Sequence, residues 1–202
     1  MTQYGFYVNT DICTGCKACM TASFDRNDLK VPQKFRKVWE FGGGDWTKDA
    51  AGAFTKTAFG YYVSMTCGQC DEPACVESCP TGAMQKDEAT GLVNNDKTVC
   101  IGCMTCEKVC PYNHPVQLED GLSHKCVMCT DRSEDGKPDP ACVKACPNRA
   151  LEFGPIADLR TAHGTVDTIG TLLNGTKPNV VFNPHRDSAN GGSIMNPLEI
   201  SH

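Results

Sequence analysis

Residues 100–111 read Cys-Ile-Gly-Cys-Met-Thr-Cys-Glu-Lys-Val-Cys-Pro, with cysteines at positions 100, 103, 106 and 110 and Pro111 directly after the last. The spacing C-x2-C-x2-C-x3-C-P is the one bacterial proteins use to hold a cubane iron–sulfur cluster. Three cysteines two residues apart lie on one tight loop, so their thiolates converge on three irons. The fourth points elsewhere and ligates the other cluster of a pair. Proline then fixes φ and carries the chain away from the cluster.

Working outward, the same pattern returns three times. Cys67, Cys70, Cys75 and Cys79 precede Pro80, and Cys126, Cys129, Cys142 and Cys146 precede Pro147. These two groups lengthen the middle gap, which a bulging loop tolerates. The first group is Cys13, Cys16 and Cys19, followed at the fourth position by Ser23. The chain has 15 cysteines in 202 residues, an odd number that excludes a complete set of internal disulfides. It is also one short of four sets of four. Zinc is the competing reading of paired cysteines, but zinc sites use pairs of pairs rather than C-x2-C-x2-C triplets.

Composition agrees. Hydrophobic residues reach 40% only with the cysteines included, so something besides aliphatic packing must fill the centres of the fold. The net charge of −5 and the lack of a basic run give no sign of nucleic-acid binding, so no nucleic-acid partner is expected. No stretch approaches the roughly 18 apolar residues of a membrane span. Met1 to Asp11 contains neither a basic n-region with an apolar h-region nor a twin-arginine motif, so a partner is expected to carry the chain to any membrane.

Residues 80–99, PTGAMQKDEATGLVNNDKTV, separate the second and third groups by the spacing of a compact two-cluster ferredoxin. They are expected to form a short helix, a turn at Gly91 and a strand. The first and last groups flank this unit, so the simplest topology inserts one ferredoxin module inside another. The fold class read from this is α+β: two interleaved bacterial-type 2×(4Fe–4S) ferredoxin modules with small antiparallel sheets, short helices, much loop and an extended C-terminal tail. The outer module spans 1–30 and 119–160, an insertion spans 31–59, the inner module spans 60–118 and the tail spans 161–202.

Exchange of fourth ligands within each module defines four iron-binding sites. Cys13, Cys16 and Cys19 take Cys146 in cluster 1. Cys126, Cys129 and Cys142 take Ser23 in cluster 2. Cys67, Cys70 and Cys75 take Cys110 in cluster 3, and Cys100, Cys103 and Cys106 take Cys79 in cluster 4. Three clusters are therefore 4Fe–4S. The fourth is atypical: 3Fe–4S, or 4Fe–4S with the Ser23 oxygen or solvent on the odd iron, with an empty site as the third state. Serine is a harder ligand than thiolate and holds iron less securely. The alternative for Ser23 is a helix cap.

Elsewhere, strands are expected near Arg36–Phe41 and Gly60–Met65 on either side of the turn Gly42–Trp46. Trp39 and Trp46 read as packing or partner-contact residues. Residues 111–125 read as an irregular connector in which His114 and His124 are surface or hydrogen-bonding side chains. Lys17, Lys125 and Lys144 lie in or beside ligand loops, where they either offset cluster charge or are simply solvated. After Pro147 the pattern gives a short strand, a helix over 155–162 ending at Gly164, and a strand at Asn179–Phe182. The Gly-, Asn- and Pro-rich tail is expected to wrap the body or a partner rather than build a core.

The segments QYGFYVNTDICTGCKACM, FGGGDWTKD, YYVSMTCGQCDEPACVESCPTGAM, CIGCMTCEKVCPY and RALEFGPIADLR together resemble the iron–sulfur subunit of the dimethyl sulfoxide reductase family of molybdopterin oxidoreductases. The resemblance implies a non-catalytic electron-transfer subunit between a molybdopterin-containing catalytic subunit and a quinol-interacting membrane anchor, with no small-molecule substrate of its own. It implies electron flow along clusters 1, 2, 3 and 4, the first nearest the catalytic subunit. It also implies attachment to the inner membrane through a partner, on the outer face by export with the catalytic subunit or alternatively on the cytoplasmic face. Two positions depart from the family: Ser23 stands where it has cysteine, and Met104 where it often has arginine. Two other readings stand beside this one. The same role would serve a complex acting on a catechol, polysulfide, thiosulfate or tetrathionate, or catalysis would occur at the Ser23-marked cluster.

Overall fold

A computed structural model describes residues 2–132, 138–169 and 175–201. Parts of the expected outer module (133–137) and tail (170–174, His202), and Met1, lie outside the described residues. Along the chain the elements are β1 (Tyr4–Asn9), α1 (Ala18–Arg26), β2 (Arg36–Gly43), β3 (Trp46–Lys48), β4 (Phe54–Lys56), β5 (Phe59–Thr66), α2 (Ala74–Glu77), β6 (Met84–Lys86) and β7 (Val93–Asn95). They continue with α3 (Thr105–Lys108), β8 (Val116–Gln117), β9 (Ser123–His124), α4 (Ala141–Lys144), β10 (Leu151–Pro155), α5 (Ile156–His163), β11 (Val180–Asn183), β12 (Ser193–Ile194) and α6 (Pro197–Ile200).

Two three-stranded sheets organise the molecule. In the first, β1 is central, antiparallel to β10 (Tyr4 opposite Pro155, Val8 opposite Leu151) and parallel to β11 (Phe6 opposite Val180, Val8 opposite Phe182). Period-2 alternation gives this sheet two apolar faces. Phe6, Val8, Leu151, Val180 and Phe182 face the main core together with Cys19, Cys142 and Cys146. Tyr7 and Val181 face the other way and are covered by Ile156 and Leu159 of α5. Phe6 is 1% exposed, and Phe6→Ala is expected to cost about 3–5 kcal/mol, seen as a lower denaturant midpoint with an unchanged m-value.

The second sheet has the order β12–β2–β5, with β2 and β5 antiparallel from Arg36 opposite Thr66 to Gly43 opposite Phe59. These are the two strands read around the Gly42–Trp46 turn. β2 is buried on both faces at its start: Arg36, Lys37, Val38 and Trp39 are all inaccessible. It thus lies between two bodies of cysteine-bearing loops.

The structure departs from the expectations at three points. Residues 84–86 form a strand, not a helix: Met84–Lys86 pairs with Val93–Asn95 in a hairpin turned near Gly91 (φ 69°). Met84, Val93 and Asn95 alternate inward, a period-2 pattern too short to stand out in the sequence. The connector after Pro111 contains a small hairpin of β8 and β9. The C-terminal segment does build core: β11 completes the first sheet, and β12 edges the second. Its run Val180-Val181-Phe182 is buried on both faces, which is how a sheet strand covered on both sides reads.

Candidate iron–sulfur centre

The four ligand loops share one local construction. The residue directly before the second cysteine has positive φ in each: Gly15 (65°), Gln69 (48°), Gly102 (66°) and Met128 (55°). A left-handed residue there curls the loop so that successive backbone groups and thiols face one centre. Gly102 is fixed by contact as well, since a Cβ there would lie 2.1 Å from the Gly121 carbonyl oxygen. Gln69 offsets its strained backbone with side-chain bonds. Its Nε2 donates to the Cys126 carbonyl at 2.8 Å, and its Oε1 accepts from the Val93 N–H at 2.7 Å. The third cysteine of every group then sits at the second position of a helix: Cys19 in α1, Cys75 in α2, Cys106 in α3 and Cys142 in α4.

The loops bring the cysteines together in sets. Cys13, Cys16, Cys19 and Cys146 line one cavity, and Cys79, Cys100, Cys103 and Cys106 line another. Cys67, Cys70, Cys75 and Cys110 lie in one another's electrostatic field, as do Cys126 and Cys129 with Cys142. All fifteen thiols are free. Among the described residues no three His, Cys, Asp or Glu side chains converge on a single metal ion. Ligands of one zinc, at about 2.3 Å each, would have to. Soft donors spread around a cavity fit a multi-iron cluster.

Ser23 is the sixth of nine residues in α1, and the N-cap is Lys17, so Ser23 does not cap the helix. It is buried on the same face as Cys19, four residues before it, and Arg26, three after. The helix α1 packs on α4, which carries Cys142; Cys19 lies in the field of Cys142 and Arg26 in the field of Cys129. Ser23 therefore shares a helix face with two residues that lie in the field of that three-cysteine set.

The sulfurs receive hydrogen bonds that tune a bound cluster. The Ala150 N–H donates to Cys146 Sγ at 3.3 Å, the Met128 N–H to Cys126 Sγ at 3.4 Å and Asn95 Nδ2 to Cys100 Sγ at 3.4 Å. Burial pushes the Cys70 and Cys75 thiols up to about 12 and Cys126 up to about 11, with neighbouring thiols adding to the rise. In the fourth set burial raises Cys106 too, but the other three thiols are shifted down. Cys103 is held low by the Thr105 hydroxyl and N–H. At Cys79 and Cys100 burial works upward but is outweighed by hydrogen bonds, from Met84 and Thr81 at the first and from Asn95 and Ser123 at the second. A ligand thiol must lose its proton, so iron uptake is linked to pH. Between about pH 6 and 9, reconstitution at Cys67/Cys70/Cys75/Cys110 is expected to improve with rising pH more steeply than at Cys79/Cys100/Cys103/Cys106; cluster-resolved absorbance during anaerobic reconstitution checks this.

The other expected residues are distributed as follows. Lys125 is buried, donating to the carbonyls of Val93 and Cys126 and to Gln69 Oε1. Lys17 pairs with Glu40 (2.9 Å) and Glu199 (2.6 Å), and Lys144 pairs with Asp139 at the surface. His114 is buried against Trp39 and Tyr112, and His124 meets Asp120 at 2.8 Å. Trp39 packs inside, whereas Trp46 is 63% exposed with Lys56 over its ring. Arg36 and Lys37 were not singled out by sequence, although two adjacent cations at the head of an apolar strand were a visible signal.

Comparison with known proteins places this geometry. A family model described as a 4Fe–4S dicluster domain matches residues 58–156. The chain is 45% identical to "Probable anaerobic dimethyl sulfoxide reductase chain YnfG" of Escherichia coli (strain K12), covering 98% of this chain and 99% of the relative. It is 44% identical, over the same shares, to the B subunit of the anaerobic dimethyl sulfoxide reductase of that strain. "Protein NrfC" of the same strain is 34% identical over 77% of this chain and 67% of its own length. With cysteine-lined cavities at its centre and full-length similarity of this order, the protein belongs to the family of dimethyl sulfoxide reductase B subunits, the iron–sulfur electron-transfer subunits.

Proposed function

We propose that this chain relays electrons through four iron–sulfur clusters between a quinol-interacting membrane anchor and a molybdopterin catalytic subunit of a dimethyl sulfoxide reductase-like respiratory complex. Cluster 1 is held by Cys13, Cys16, Cys19 and Cys146. Cluster 2, the atypical one, is held by Cys126, Cys129 and Cys142 with Ser23 at the fourth corner. Cluster 3 uses Cys67, Cys70, Cys75 and Cys110, and cluster 4 uses Cys100, Cys103, Cys106 and Cys79. When bound, such clusters take up and release single electrons.

What supports this reading is that each proposed set has the next as a neighbour. Cys19 of the first set lies in the field of Cys142 of the second. Cys126 of the second lies in the field of Cys67 of the third. Cys75, Cys79 and Cys106 share one small core that joins the third set to the fourth. The protein holds each set between short helices and sheets, with no thiol of the middle two sets fully exposed and with Cys16 and Cys103 exposed in the first and fourth. Those two sets are where donor and acceptor subunits would dock. No helix among the described residues is long and apolar enough to cross a membrane.

The test is purification of the chain from its native cells under gentle conditions. The reading expects a large molybdopterin protein and a membrane protein to co-purify, and added quinol to bleach the visible absorption of the complex. Turnover of any substrate by the chain alone would contradict it.

A further inference from the structure

Arg36 is one of the most deeply buried side chains in the molecule, 1% exposed, although it carries a permanent charge. Its Nη1 donates to Ser64 Oγ at 3.0 Å, and its guanidinium carbon stands 4.9 Å from the centroid of the Phe6 ring. Its Nε and Nη2 are buried with no hydrogen-bond partner. Among the described residues no carboxylate forms an ion pair with it. A cation left so is strongly disfavoured unless negative charge faces it.

The groups that do face it are ligand thiols. The guanidinium lies in the field of Cys142, Cys19 and Cys126, and Ser64 Oγ links it to Cys19 Sγ at 3.2 Å. Cys19 belongs to the first set, and Cys126 and Cys142 to the second. β2 directs its two adjacent cations to opposite sides, as strand alternation requires. Lys37 reaches the Asn113 carbonyl at 2.8 Å, beside Cys110 of the third set. Arg36 alone stands where the two outer sets meet.

We propose that Arg36 is the shared counter-cation of clusters 1 and 2: its buried charge makes both easier to reduce, and it keeps them close enough in potential for electrons to pass in either direction. This rests on the cluster assignment above. Arg36 acts on the ligand thiols through Ser64 Oγ and through its charge, and not on a substrate, so it is a positioning residue. Its unpartnered Nε–H and Nη2–H groups are the donors that thiolate or sulfide would accept from. Charge and hydrogen bonds near the sulfurs are the means by which proteins set cluster potentials.

The experiment is an EPR-monitored redox titration of the purified complex carrying Arg36→Gln or Arg36→Lys. With Arg36→Gln, the reduction equilibria of clusters 1 and 2 are expected to shift at least tenfold towards the oxidised state, about 59 mV for one electron. Clusters 3 and 4 are expected to stay in place, and Arg36→Lys to restore most of the shift. If the Gln variant assembles poorly, selective loss of clusters 1 and 2 with recovery in Arg36→Lys supports the proposal equally. Unchanged potentials, an equal shift of all four clusters, loss of all four together, or a Lys variant no better than Gln would overturn it. A wild-type protein with only two clusters would instead defeat the assignment beneath it, a result visible before any variant is made.

Discussion

Replacing Cys146 by alanine is expected to destroy the cluster assigned to Cys13, Cys16 and Cys19, at the other end of the sequence, and to spare the one assigned to its near neighbour Cys142. The two cysteines are four residues apart, and a reading by proximity in sequence would give them one cluster. The fold separates them. Cys142 lies on α4 facing Cys126 and Cys129, whereas Cys146 follows the helix and lines the cavity of the N-terminal loop. The Ala150 N–H fixes its sulfur there. The variant should lose about four irons per chain and the EPR signal of one reduced cluster. Electron delivery to the catalytic subunit should fall to background, because the lost centre ends the proposed relay. Loss of the Cys126/Cys129/Cys142 signal instead would mean that the modules do not exchange ligands.

Ser23→Cys is the complementary gain. Ser23 is buried on α1, which packs on α4, and a thiol is close to its hydroxyl in size, at a position where every other group has cysteine. The variant is expected to hold sixteen irons as four 4Fe–4S clusters and to be EPR-silent when oxidised, whereas a 3Fe–4S cluster in the parent is paramagnetic in that state. Thiolate is softer than a serine oxygen and binds iron more firmly, so the altered cluster should also survive air and chelator longer. An oxidised-state signal of equal size in parent and variant would remove Ser23 from the site.

Much of this was legible in the residues because ligand chemistry constrains spacing so tightly. Cys100 to Pro111 alone specifies a loop, a short helix and an exit, and its repetition predicted four equivalent loops. The sheets were less legible. β2 and β5 could be read from their apolar runs, but Met84–Lys86 is too short for its alternation to be distinguished from a helical turn. Val180–Phe182 was readable as a strand within a Gly- and Pro-rich segment, but its place beside β1 depends on a contact more than 170 residues distant. Arg36 was visible as a cation in an apolar run, but its role was not. A cation in an apolar strand reads as an edge or surface residue until the fold shows which sulfurs surround it.

The central claim is four clusters held by fifteen thiolates and one serine. Iron and acid-labile sulfide measured on the full-length chain, purified without oxygen, test it most directly. Fifteen or sixteen irons per chain are expected, fifteen if the Ser23 site holds three. About eight irons, the complement of the inner module alone, would contradict it.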